Sequence, residues 1–162
     1  MVRLSLIRRR LHRLSQVDNG HRLLLAEAAL SLLAVRLALK FVSFPSLARR
    51  FGSLVAPTDP RMLKQTIANS DQVRIAKEVG WAVTRAARYV PFRAACLPQA
   101  IAAQTMLRRR GVACMMHFGA ARGLETKFYT HAWLDAAGVE VTGYPVAERL
   151  AEIACFVCAE PG

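Results

Sequence analysis

Residues 91–99 read PFRAACLPQ. Pro91 closes one helical pattern and LPQAIAAQTMLRRRG (97–111) opens another, so Cys96 stands at a helix start. A helix start carries unpaired N–H groups and the positive end of the helix dipole, which together favour a thiolate, the nucleophilic form. Downstream the texture changes. VACMMHFGA (112–120), KFYTHAWLD (127–135) and VEVTGY (139–144) have strand character, with Gly123 in the first connection and Ala137 and Gly138 in a second of hairpin length. Helices first and an antiparallel sheet afterwards predict an α+β fold in which the helix begun by Cys96 packs on the sheet.

Upstream, DQVRIAKEVGWAVTRAARYV (71–90) places Val73, Ala76, Val79, Ala82 and Val83 on one helical face. Asp59 followed by Pro60 is a helix entry, and Asn69–Ser70 marks a break before the main pattern. FPSLARRFGSLVAPTDP (44–60) holds three prolines and reads as a connection. RLLLAEAALSLLAVRLALKFV (22–42) is the most apolar stretch, but Glu27 and Arg36 interrupt it well short of the ~20 residues a bilayer span needs. No membrane span is expected. Arg22, Arg36 and Lys40 make one basic edge on a helix whose wide apolar arc is buried against something. The basic, amphipathic residues 1–20 have too long a basic lead for a secretory signal, and suit docking on a partner or peripheral contact with a membrane surface. The predicted organisation is a helical N-terminal region, 1–58, acting as docking element or cap, and a core, 59–162.

With 162 residues, 54% hydrophobic and 21% charged, the chain can bury a core without disulfide staples. Its net charge of +12 attracts anions of any kind. Arg108–Arg110 fall in the last turn of a helix before Gly111, where they offset the dipole, so they do not indicate a nucleic-acid site. Four cysteines, Cys96, Cys114, Cys155 and Cys158, are too few and too scattered for a secreted disulfide framework, which points to the cytoplasm. Cys155 and Cys158 form a C-x-x-C pair, but two ligands do not make a zinc site. They read as small apolar side chains near a strand, and no metal or cofactor is expected.

A base for Cys96 has to come from four histidines. His12 and His21 lie in the basic N-terminal region and read as exposed. His117 sits mid-strand, on the face opposite Cys114, Met116 and Phe118. His131 shares a face with Trp133, whose indole limits water, and is the better candidate to face the helix that starts with Cys96. A thiol beside an imidazole is the common route to a nucleophilic cysteine at neutral pH.

These residues also carry a resemblance. CLPQAIAAQTMLRRRG (96–111), HFGA (117–120), HAWLDAAGVEVTG (131–143) and the approach AVTRAARYVPFRAAC (82–96) are similar to the core of the lasso-peptide leader peptidases, the transglutaminase-like cysteine proteases of lasso-peptide maturation. It covers about residues 75–150, and the apolar lead at 22–60 also resembles that of the stand-alone protease subunits. It implies a transglutaminase-like or papain-like core that removes the leader from a ribosomal precursor peptide. It also implies two partners, a separate winged-helix protein that recognises the leader and an ATP-dependent cyclase that closes the macrolactam. By the same resemblance Cys96 is the nucleophile and His131 the general base and acid.

The third catalytic member departs from the family's pattern. An aspartate is often found about a dozen residues past the histidine, and here that count lands on Gly143. Pairing Asp135 with Val139 would place Gly143 opposite His131, and a one-residue slip would bring Tyr144 there. Asp135, at about 3.3 Å per residue, lies ~13 Å from His131 along the strand. The orienter is then a backbone carbonyl, the Tyr144 hydroxyl or Glu148, with the carbonyl preferred because it fixes the tautomer without adding charge. Other functional classes remain open at this point: a non-catalytic scaffold, a basic binding protein, and an acyl transferase that hands the acyl group to an amine.

Overall fold

In a computed structural model the described residues are 18–49, 52–59, 68–122 and 128–157. His12, Cys158 and the expected helix entry at Pro60 lie outside them. Among the described residues four helices, α1 (Asn19–Phe41), α2 (Phe44–Ala48), α3 (Ser70–Ala87) and α4 (Cys96–Arg108), accompany five strands. The strands are β1 (Ser53–Val55), β2 (Cys114–Arg122), β3 (Phe128–Ala136), β4 (Val139–Thr142) and β5 (Ala151–Val157). They form one antiparallel sheet in the order β1-β5-β2-β3-β4. The expected α+β class holds.

The two longest described helices, α1 and α3, start where the sequence supplies a side-chain cap. Asp18 accepts from the Gly20 N–H at the head of α1. Asn69 accepts from the Gln72 N–H at 2.8 Å while the Gln72 side chain accepts from the Asn69 N–H at 3.1 Å, a reciprocal capping box that begins α3 at the anticipated break. α4 ends at Arg108, and the arginine run leads on to Gly111, which takes a φ of 67°. Arg110 does donate to the Met106 carbonyl in that last turn, but its guanidinium also grips Glu27 of α1 at 3.0 and 2.5 Å. The arginines therefore tie two helices together as well as offsetting a dipole.

The core joins α1, α3 and α4 to one face of the sheet. Ala28 and Leu32 of α1, Val79 and Val83 of α3, Met106 and Leu107 of α4, and Met116 and Leu134 of the sheet are all fully buried in it. α4 packs on α1, α3, β2, β3 and β4, so it is apolar nearly all round. The alanines at 100, 102 and 103 let these neighbours approach it closely. Among the described residues no helix is long and apolar enough to cross a membrane.

The β3–β4 hairpin differs from the expected register. Ala137 and Gly138 both take positive φ, 53° and 72°, making a two-residue turn that pairs Ala136 with Val139 and Asp135 with Glu140. Leu134 then pairs with Thr142, leaving Val141 as an extra residue. Asp135 does not face Val139, and Gly143 follows the last ladder pair instead of lying opposite His131.

Candidate active site

Cys96 is the first residue of α4. Its N-cap, Ala95, has no side chain that can accept a hydrogen bond, and Pro98 carries no N–H. The first ring-closing bond of the helix runs from the Gln99 N–H to the Ala95 carbonyl at 3.2 Å, and the Gln99 side chain holds the Ala94 carbonyl at 2.8 Å. The approach to the cysteine is thereby fixed, and the Cys96 and Leu97 N–H groups lie ahead of the helical ladder. Cys96 is half-buried against the core.

His131 sits on β3, opposite Gly119 of β2. Its Nε2–H donates to the Gly143 carbonyl at 2.6 Å. That bond assigns the ring proton to Nε2 and leaves Nδ1 with a free lone pair, the arrangement a general base requires. Trp133 stacks alongside at 6.1 Å between ring centroids. Of the three orienting groups weighed from the sequence, the backbone carbonyl is the one at the ring. Tyr144 gives its hydroxyl to Asp135, and Glu148 is exposed. The Asp135 bond and burial push the Tyr144 hydroxyl pKa upward, burial being the larger cause.

Gly143 can do this because it lacks a side chain. Its φ is 88°, and a Cβ there would stand 2.5 Å from the Ala132 carbonyl oxygen and 2.8 Å from Trp133 Cα. The backbone that brings its carbonyl to His131 leaves no room for a side chain at position 143.

Strand alternation divides the sheet into two faces. Cys114, Met116, Ala132, Leu134 and Ala136 turn into the core shared with α4, whereas His131, Trp133, Asp135 and His117 share the other face. α4 packs on the first of these faces and His131 lies on the second, so the expectation that His131 faces the helix begun by Cys96 is not met: the two residues come from neighbouring elements, and the hydrogen bond of the ring runs to Gly143. His21, read as exposed, is so, with its ring edge-on to Trp81 at 5.1 Å.

A second imidazole, that of His117, is buried, where the sequence offers only a mid-strand residue. His117 pairs with Trp133 across the ladder and stacks on it at 5.3 Å with a 4° angle between rings. Its Nδ1 lies 2.6 Å from Glu152 Oε1, and its Nε2 lies 3.2 Å from Asp135 Oδ2 but out of line for a hydrogen bond. Burial opposes its charge, yet Asp135, Cys155 and Glu152 outweigh that and raise its pKa to about 10. Cys155, a fully buried residue of β5, completes the group. Cys155 stands out in the sequence through its C-x-x-C spacing, whereas its neighbours in space are His117 and Glu152. A thiol with no exposed surface is closed to a peptide substrate, so this second cysteine–histidine set is no rival nucleophile.

A helix-start thiol and an imidazole bonded through Nε2 are the kinds of group that thiol-based acyl chemistry uses, here carried on one α+β framework. The transglutaminase-like superfamily matches residues 29–155, from within α1 to Cys155 in β5, and the chain belongs to it. That superfamily includes cysteine peptidases and acyltransferases, and its fold is commonly enzymatic. Comparison with curated proteins and with solved structures finds no match.

Proposed function

We propose that the protein is a cysteine peptidase that cuts the leader from a lasso-peptide precursor, with Cys96 as nucleophile and His131 as general base and acid. The observation that carries the chemistry is the Nε2–Gly143 bond, which leaves Nδ1 of His131 free to take a proton. Support for the substrate comes from the order of the motifs around Cys96, His117–Ala120 and His131–Gly143, all inside the superfamily match.

In the proposed reaction His131 Nδ1 takes the Cys96 proton as sulfur adds to the scissile carbonyl. The oxyanion meets the Cys96 and Leu97 N–H groups at the positive end of α4. His131 returns the proton to the departing amine, which frees the core peptide's new N-terminus, and leaves a thioester on Cys96. Water, deprotonated by His131, hydrolyses that thioester and restores the thiol. A separate winged-helix protein would deliver the leader, and an ATP-dependent cyclase would consume the released amine.

Mass spectrometry of a cognate precursor incubated with the protein and its recognition partner tests this. Leader release by wild type and none by Cys96→Ala is the expected result. An intact precursor in both, with folding and partner binding verified, would refute the peptidase reading and favour a scaffold. If added amines appear on the cleaved carboxyl end, the acyl group is transferred and not hydrolysed.

A further inference from the structure

On the sheet face that carries Trp133, a second set of reactive groups converges. His117 of β2 and Glu152 and Cys155 of β5 bring one nitrogen, one carboxylate oxygen and one sulfur within 4.8 Å of one another. A regular strand would not do this, because residues 152 and 155 are three apart and would point to opposite faces. The ladder between β2 and β5 shifts register here: Phe118 pairs with Ala154 and Gly119 with Glu152, leaving Ile153 as an extra residue. That bulge turns Glu152 onto the face of Cys155 and His117. Cys155 is fully buried and the His117 side chain is 8% exposed, while Glu152, at 28%, leaves a way in from solvent.

The surroundings match those of a ligated imidazole. Metal-bound histidines almost always offer their second ring nitrogen to a carboxylate that is itself hydrogen-bonded. Here Nδ1 faces Glu152 at 2.6 Å, and Nε2, buried and without a hydrogen bond, lies 3.2 Å from Asp135, which in turn accepts the Tyr144 hydroxyl. One sulfur, one nitrogen and one oxygen form a donor set suited to zinc, a borderline-soft ion that tolerates all three.

The geometry points to a zinc site in which Cys155 Sγ, His117 Nδ1 and the Glu152 carboxylate are the ligands, with Asp135 beside the far nitrogen of the imidazole. Three protein ligands leave the fourth tetrahedral position to water. Binding displaces the protons of Cys155 and His117. Because Trp133 stacks on His117 on one side and beside His131 on the other, the ion would fix the indole next to the proposed base. The site does not depend on the peptidase reading.

Zn²⁺ titrated into the metal-stripped full-length chain against a chromophoric chelator tests the site. Wild type is expected to take up one equivalent. His117→Gln, Cys155→Ser and Asp135→Asn should each weaken binding at least ~10-fold, whereas Cys96→Ser and Cys158→Ser should leave it unchanged. Wild-type affinity no better than that of Cys155→Ser, or binding that depends on Cys158 and not on His117, would overturn the assignment. Should the variants fail to fold, Co²⁺ in the wild type decides the matter: a thiolate-to-cobalt charge-transfer band is expected, and its absence would overturn the site equally.

Discussion

At the scale of single residues Gly143 matters most to the proposed site. The family resemblance led to the expectation of a carboxylate beside the histidine, whereas the ring of His131 meets a main-chain oxygen that only a residue without Cβ can deliver at φ 88°. Installing the carboxylate therefore harms the site. Gly143→Asp is expected to destabilise the protein by ~1–2 kcal/mol from the left-handed backbone alone, with more from the clash at Ala132. It should also lower turnover at least ~10-fold, read by precursor cleavage and by thermal melting of the same sample. Higher turnover in the variant would mean that the carbonyl is not the orienter. The count from His131 to position 143 was legible in the sequence, as was the absence of an acid there. The carbonyl itself was one option among three, because a backbone atom leaves no mark in residue identity.

Elements explain which parts of the fold could be foreseen. The helix begun by Cys96 and the strands β2, β3 and β4 stand out because turn and breaker residues bound them. Registers do not, since each bulge inserts one residue that no pattern announces. Val141 moved Gly143 past the ladder, and Ile153 turned Glu152 toward His117. β5 itself was legible only as a strand near Cys155, and β1 hides in a connection rich in proline. The hairpin also stores a correctable cost. Ala137 holds φ 53° in a turn that wants glycine or asparagine, so Ala137→Gly should stabilise the protein by about 0.5–1 kcal/mol. Chemical denaturation checks the sign, and a loss of stability would mean that the partly buried Ala137 methyl outweighs the strain.

Across the whole molecule, stability depends on contacts between distant segments. Glu27 on α1 and Arg110 after α4 are 83 positions apart in sequence and share two hydrogen bonds, a pairing that no local pattern reveals. The Arg110 bonds, opposed by burial and helped by charge from Arg110 and Arg109, hold the Glu27 carboxyl below its ordinary 4.5. A depressed carboxyl pKa stabilises the fold above the unfolded value and loses that contribution as pH falls through the folded one. Glu27→Gln should therefore cost ~1–2 kcal/mol at neutral pH, and the gap to wild type should close as pH drops below about 4.5. Urea melts across that range measure it, and a gap independent of pH would assign the effect to packing alone.

The union of α4 with β3 also decides whether this scaffold is an enzyme, and the reactivity of Cys96 reports on it without any substrate. Alkylation of Cys96 by iodoacetamide at pH 7, followed by peptide mapping so that Cys114, Cys155 and Cys158 are counted separately, should be at least ~10-fold slower in His131→Gln than in wild type. Equal rates in the two folded proteins would mean that His131 does not act on Cys96, and the peptidase mechanism would fall with it.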